Sequence, residues 1–131
     1  MKLKKVDNSD IKFLYDMLSE RDDDINISFV MPTFEQHEDF VINNHYEAWY
    51  IIKVGETSIG NVYLTSQNEI GIFIKKEYQG VGYSKKAIAI LMEKHPKKSY
   101  IANINPRNIK SISLFTSLNF TFVSETYKLE M

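Results

Sequence analysis

Ile70-Gly71-Ile72-Phe73-Ile74-Lys75-Lys76-Glu77-Tyr78-Gln79-Gly80-Val81-Gly82-Tyr83-Ser84 is the stretch on which the reading of this chain turns. An apolar strand gives way to a short polar turn, and two glycines then lead into an amphipathic helix. The first turn of a helix leaves N–H groups without intrahelical partners and carries the positive end of the helix dipole. Glycines at that point let an anion approach the backbone closely. The stretch therefore reads as a phosphate-binding site. A Walker A loop needs four residues between its glycines and then Gly-Lys-Ser/Thr, and that spacing is absent. A dinucleotide fingerprint needs a third glycine where Lys85 stands, an acidic residue about 20 positions on, and a longer βαβ sheet than this chain supplies.

A third pattern, Gln/Arg-x-x-Gly-x-Gly/Ala, belongs to the pyrophosphate loop of acyl-CoA-dependent transferases. Gln79-Gly80-Val81-Gly82-Tyr83-Ser84 fits it, with Ser84 in place of the last small residue. The plainer alternative is a strand-to-helix turn whose glycines only permit the bend. Downstream lies Asn108-Ile109-Lys110-Ser111-Ile112-Ser113-Leu114-Phe115-Thr116-Ser117-Leu118-Asn119-Phe120, after a strand-like Ser99–Ile104. With both segments in order, the chain resembles the GNAT superfamily of N-acyltransferases over residues 47–127. The family's second segment reads Asn-x-x-Ala/Ser-x-x-Leu-Tyr/Phe-x-x-x-Gly-Phe. Asn108, Ser111, Leu114, Phe115 and Phe120 fall in register with it. Asn119 replaces the glycine, and Asn tolerates the left-handed conformation that follows a helix.

The chain has 131 residues, which suits one compact domain over 1–131. Its net charge of −1 argues against a general nucleic-acid or membrane-surface binder, which would carry a basic excess. Cysteine is absent, so disulfides, thiolate catalysis and Cys-based zinc sites are excluded, and no metal is expected. No apolar run approaches the roughly 20 residues of a spanning helix. Met1–Val6 lacks the apolar core of a signal peptide. A cytoplasmic location is the default expectation.

Residues Lys2–Val6 read as a strand. Asn8 or Ser9 can cap a helix to about Leu18, with Ile11, Leu14, Tyr15 and Leu18 along one face. Glu20-Arg21-Asp22-Asp23-Asp24 reads as a solvated acidic loop. Thr33-Phe34-Glu35-Gln36 is a capping box that opens a helix with Phe34, His37 and Val41 on one side. Trp49–Val54 is apolar on both faces and reads as a central strand. Gly55-Glu56 turns the chain into Ser58–Leu64, where Gly60 marks a bulge or a close approach. Glu69–Ile74 is the strand before the glycines. The helix from about Gly82 to Glu93 should bury Ala87, Ile90 and Leu91, and Pro96 follows its end. Ser99–Ile104 is then a strand, Asn108–Ser117 a helix with Ser111, Leu114, Phe115 and Leu118 inward, and Phe120–Leu129 a last strand. The order βααβββαβαβ is an α+β domain with a mixed, mostly antiparallel sheet flanked by helices.

The resemblance implies the chemistry. Acetyl-CoA would be the co-substrate, bound by the loop from Gly80, its pyrophosphate held by the N–H groups of Val81, Gly82, Tyr83 and Ser84, with Gln79 and Lys85 adding to the grip. Backbone groups of Ile72, Phe73 and Ile74 would pair with the pantetheine arm. Asn108 would bond a pantetheine amide, or else only cap its helix. Ser111 and Phe115 would line the same channel. Glu69 opens the cofactor strand and is the candidate base; the bland alternative is a strand-end glutamate in solvent. The other family base position is Asn103, which accepts no proton, and His37 and His45 are further alternatives. Phe115 stands where many relatives carry the tyrosine that protonates the departing thiolate, so Tyr83 or Tyr127 would have to take that role.

The acceptor would be a primary amine: an amino sugar, a small polyamine or amino acid, or a protein N-terminus. Two other readings stand beside this one. The chain can be a degenerate member that binds acyl-CoA or regulates a partner without turnover. It can also be a structural domain whose exposed strand edge pairs into a homodimer.

Overall fold

The computed structural model describes residues 1–20, 31–124 and 129. Among the described residues four strands pair in chain order, β1 (Lys2–Lys5), β2 (Ala48–Val54), β3 (Thr57–Leu64) and β4 (Ile70–Ile74), each antiparallel to its neighbour. The helices are α1 (Ile11–Leu18), α2 (Phe34–Ile42), α3 (Tyr83–Lys94) and α4 (Ile109–Ser117). Side chains alternate across a strand, so parity sorts the sheet into two faces. Ile52, Val62, Leu64, Ile70 and Ile74 join Ile88 and Leu91 of α3 and Phe115 of α4 in one core. Trp49 and Ile51 meet Ile11, Leu14 and Val41 of α1 and α2 in the other. The capping box forms as read: the Thr33 hydroxyl accepts from the Gln36 N–H, and the Gln36 side chain accepts from the Thr33 N–H.

The glycine at 60 serves both expected purposes. Ile52 pairs with Gly60 and Lys53 with Ser58, so Ile59 is an extra residue in β3. A Cβ at Gly60 would also run into the Phe73 carbonyl and the Ile74 backbone, so only glycine lets β3 and β4 approach here. In α3 the buried face is Ala87, Ile88 and Leu91, while the expected Ile90 is half-buried. In α1, Met17 rather than Tyr15 or Leu18 completes the buried row.

Two predicted strands are not seen as such among the described residues. Ser99–Ile104 shrinks to one parallel bridge, Glu69 to Ile101, made by Ile70 N–H to Ile101 O (2.8 Å) and Ile101 N–H to Asn68 O (2.9 Å). The segment is tethered at both ends. The Tyr100 hydroxyl bonds the His95 carbonyl at the close of α3 (2.7 Å), and Pro106 restricts the chain at Asn105. The predicted strand Phe120–Leu129 is irregular from Phe120 to Ser124, with Phe122 and Val123 exposed. Residues 125–128, and with them Tyr127, lie outside the described residues, as does most of the acidic run at 20–24.

The last helix closes as its sequence implies. Asn119 takes φ +71°, and Phe120 N–H reaches back to Phe115 O (3.0 Å) while Asn119 N–H reaches Thr116 O (2.9 Å). The Phe120 ring packs edge-on against Phe115 at 5.1 Å. Phe115 is 5% exposed, with Ser111, Leu114 and Leu118 half-buried beside it. Truncating Phe115 to alanine should lower unfolding free energy by about 3–5 kcal/mol, read from the urea midpoint at unchanged slope.

Candidate functional site

The two edges of β4 are unlike. Glu69 O accepts from Thr65 N–H (2.9 Å) and Lys75 N–H donates to Ile59 O (2.8 Å), so the backbone groups of 69, 71, 73 and 75 face β3. Those of Ile70, Ile72 and Ile74 face the other way. Ile70 meets Ile101; beyond it the two segments part, and the Ile72 N–H and C=O and the Ile74 N–H look into the gap. Phe73, expected beside them, has its backbone groups in the β3 ladder instead. Parity in a hydrogen-bonded strand fixes this.

The open edge runs directly into the glycine loop. The Gln79 side-chain amide donates to Ile74 O (2.8 Å), so Gln79 braces the loop to β4. Gly80 and Gly82 take φ +83° and +90°, values only glycine adopts without strain. Gly82 is the N-cap of α3 and has no side chain to cap it; the first helical bond is Lys86 N–H to Gly82 O (3.2 Å). The N–H groups of Tyr83, Ser84 and Lys85 thus lack helix partners. Val81 is exposed, and a Cβ at Gly80 or Gly82 would meet nothing within 4 Å. The arrangement suits an anion at the helix end with an extended amide-bearing chain along β4. At the far side of the gap, Asn108 caps α4, its Oδ1 accepting from Ser111 N–H (3.1 Å). Phe115 is a core residue with no polar atom to offer.

No protein-family model matches this sequence. No curated protein sequence matches it significantly. Solved structures do resemble it. The spermidine N-acetyltransferase of Vibrio cholerae, in complex with CoA and spermine, superposes with a TM-score of 0.77 at 17% identity, over 94% of this chain and 82% of that one. RimL, a ribosomal L7/L12 alpha-N-protein acetyltransferase in complex with coenzyme A, gives 0.74 at 16%, over 93% and 80%. An acetyltransferase from Thermus thermophilus gives 0.75 at 16%, over 95% and 88%. This chain has the GNAT acetyltransferase fold. In this chain β4 parts from the segment around Ile101 and leads into the glycine-led α3.

A cavity of about 580 Å³ opens on the α1/α2 face of the sheet. Phe40, Tyr46, Trp49 and Tyr63 supply its aromatic wall, and Leu14, Leu18 and Pro32 add aliphatic surface. Its polar groups are Gln36, His37 and Asn61. Of these residues the sequence singled out only His37 for chemistry, as an alternative base. The missed signal lies in β3, where Asn61 and Tyr63 alternate with Gly60, Val62 and Leu64: one face is apolar core and the other is not.

Glu69 does not line this cavity. It lies on the same sheet face, half-buried, with its N–H donating to Thr65 Oγ1 (3.1 Å). It is the diagonal neighbour of Tyr63, a spacing of roughly 7–8 Å that a long side chain can span. His45 is exposed in the loop after α2. Tyr83 is half-buried against the α3 core. Among the described residues no group of three His, Asp or Glu is placed to hold a metal, and no helix is long and apolar enough to cross a membrane.

His37 is buried, and its Nε2 has no hydrogen-bond partner among the described residues. Burial pushes its pKa below the ordinary value of 6.5, with the Ile11 backbone acting the other way. The unfolded chain therefore binds a proton at 37 more readily than the folded one. As pH falls below about 6.5 stability should drop, and above it His37 should contribute no pH dependence. Urea denaturation at about pH 7.5 and about pH 5.5, on either side of the ordinary histidine pKa, checks this. His37→Gln should lose less stability on acidification than the parent chain.

Proposed function

We propose that the chain is an acetyl-CoA-dependent N-acetyltransferase in which an amine attacks the thioester directly. The observation that carries this reading is β4 itself. Its outer edge carries open amide groups at Ile72 and Ile74 and leads straight to the uncapped N-terminus of α3. The likeness to acetyltransferases solved with coenzyme A supports it. The residues fit the co-substrate: the glycine loop has open space and free amides for a pyrophosphate, and the strand edge has amides for a pantetheine arm.

When bound, acetyl-CoA supplies an activated acetyl group and a thiol leaving group, whose pKa of about 8.5 makes departure without a dedicated acid tolerable. The N–H groups of Tyr83, Ser84 and Lys85 would hold the pyrophosphate, and the Lys85 charge would add to the field. The Ile72 N–H, on the open edge of β4, would stabilise the charge that develops on the thioester carbonyl oxygen. The Asn108 amide nitrogen would be available to a pantetheine carbonyl while its oxygen keeps the α4 cap. Glu69, at the head of the gap, removes the proton of the attacking amine.

A thiol-release assay with acetyl-CoA across a panel of primary amines tests the reading. Transfer should be amine-dependent and yield the N-acetyl product. Phe115, buried and without a hydroxyl, favours a second reading, an acyl-CoA-binding module without turnover. Saturable acetyl-CoA binding with no thiol release on any amine would decide for that second reading.

A further inference from the structure

The loop from β3 to β4 is Thr65-Ser66-Gln67-Asn68-Glu69, and its hydrogen bonds converge on Thr65. The Thr65 carbonyl accepts from Asn68 N–H (3.1 Å), and the Thr65 N–H donates to Glu69 O (2.9 Å). Its hydroxyl oxygen accepts from Gln67 N–H (3.2 Å) and from Glu69 N–H (3.1 Å). A hydroxyl oxygen has two lone pairs, and here each meets a backbone amide. Asn68 takes φ +66°, a conformation asparagine tolerates, and with it the chain turns back into β4. On the other edge, Ile101 N–H donates to Asn68 O (2.9 Å) and Ile70 N–H to Ile101 O (2.8 Å). Glu69 is therefore tied on both sides, at the point beyond which β4 and the segment of Ile101 part.

The Thr65 carbonyl serves Asn68, so the hydroxyl is the acceptor that meets the Glu69 amide. Valine has the same shape without an oxygen, and would take that acceptor from Gln67 and Glu69 together. Side chains along an extended chain leave it alternately to two faces, so the backbone orientation at 69 sets where its carboxylate goes. A base acts well only when its own support holds it close to the productive geometry. We infer that the Thr65 hydroxyl is a positioning group for the Glu69 carboxylate: it fixes the backbone of residue 69 and through it the reach of the base toward the amine. The inference rests on the reading of Glu69 as the base and adds a supporting residue to it.

Thr65→Val and Thr65→Ser separate the hydroxyl from the shape of the side chain. With acetyl-CoA and the fastest amine of the panel, Thr65→Val should lower the amine kcat/KM by on the order of 10–10²-fold, the effect of displacing a catalytic group by about 1 Å. Thr65→Ser keeps the oxygen and should stay within about threefold of the parent. Acetyl-CoA affinity in calorimetry should move by less than about twofold in both, because the glycine loop and the open edge at Ile72 are untouched. In a Glu69→Gln background Thr65→Val should cost less than about threefold, since the group it positions is gone. Amide exchange gives a measurement that needs no variant: the Glu69 N–H of the parent should exchange at least about tenfold more slowly than an unstructured amide. An unprotected Glu69 amide, a fully active Thr65→Val, a Thr65→Ser as slow as Thr65→Val, or losses that simply add with Glu69→Gln would overturn the inference and leave Glu69 its role. A harmless Glu69→Gln, or a parent that releases no thiol on any amine, would sink the reading of the base itself and this inference with it.

Discussion

Gly82→Asp should abolish acetyl-CoA binding while leaving the protein folded. Gly82 has φ +90°, and a side chain there meets nothing within 4 Å, so the folded state bears only backbone strain, about 1–2 kcal/mol. Aspartate is among the residues that accept this conformation most readily. Its carboxylate would stand at the amides of Tyr83, Ser84 and Lys85, where the pyrophosphate is to bind. Two like charges about 4 Å apart at a protein surface repel by roughly 4 kcal/mol. At about 1.4 kcal/mol per tenfold, affinity should fall by on the order of 10²–10³. Gly82→Asn carries the same strain and nearly the same bulk without the charge, and should lose far less. Calorimetric titration of both variants, with circular dichroism to confirm folding, checks the claim. Equal affinity for the parent and a folded Gly82→Asp would remove the pyrophosphate from α3.

Glu69→Gln should lower kcat/KM by about 10²–10⁴-fold with acetyl-CoA affinity little changed. Glutamine keeps the shape, and the backbone bonds of residue 69 to Thr65 and the neighbouring Ile101 bridge do not involve the side chain, so the strand should be undisturbed. The defect should shrink as pH rises, because more of the amine then arrives already neutral. A pH–rate profile of kcat/KM for both proteins measures this directly. Near-parental activity at neutral pH would transfer the role elsewhere. His37 is then the residue to test, since it borders the cavity and His45 stands in solvent. If His37→Gln is also harmless, positioning an amine that arrives neutral suffices.

Local events could be read from the chain alone. The Thr33 capping box, the left-handed Asn119, the close approach at Gly60 and the glycine-led start of α3 are each set by what a few neighbouring residues can do with their backbone. The inward row of α4 through Phe115 was legible too, as was Asn108 as a helix cap. Features that depend on partners remote in the chain took shape only in the packed molecule. Ser99–Ile104 has the composition of a strand, yet it pairs only at Ile101 because Tyr100 is tied to the end of α3 and β4 turns away. Which β4 amides face the gap follows from the ladder with β3, which takes Phe73 and frees Ile72. The cavity was hidden because its wall draws a few residues each from α1, α2, β2, β3 and the loops beside α2. No local pattern joins Phe40 to Tyr63. Nothing in the sequence around Gly71 says that the ring of Tyr63, on the neighbouring strand, lies over it. Backbone preferences are short-ranged and written in adjacent letters, whereas a pocket is assembled by sheet register and helix packing across the whole chain.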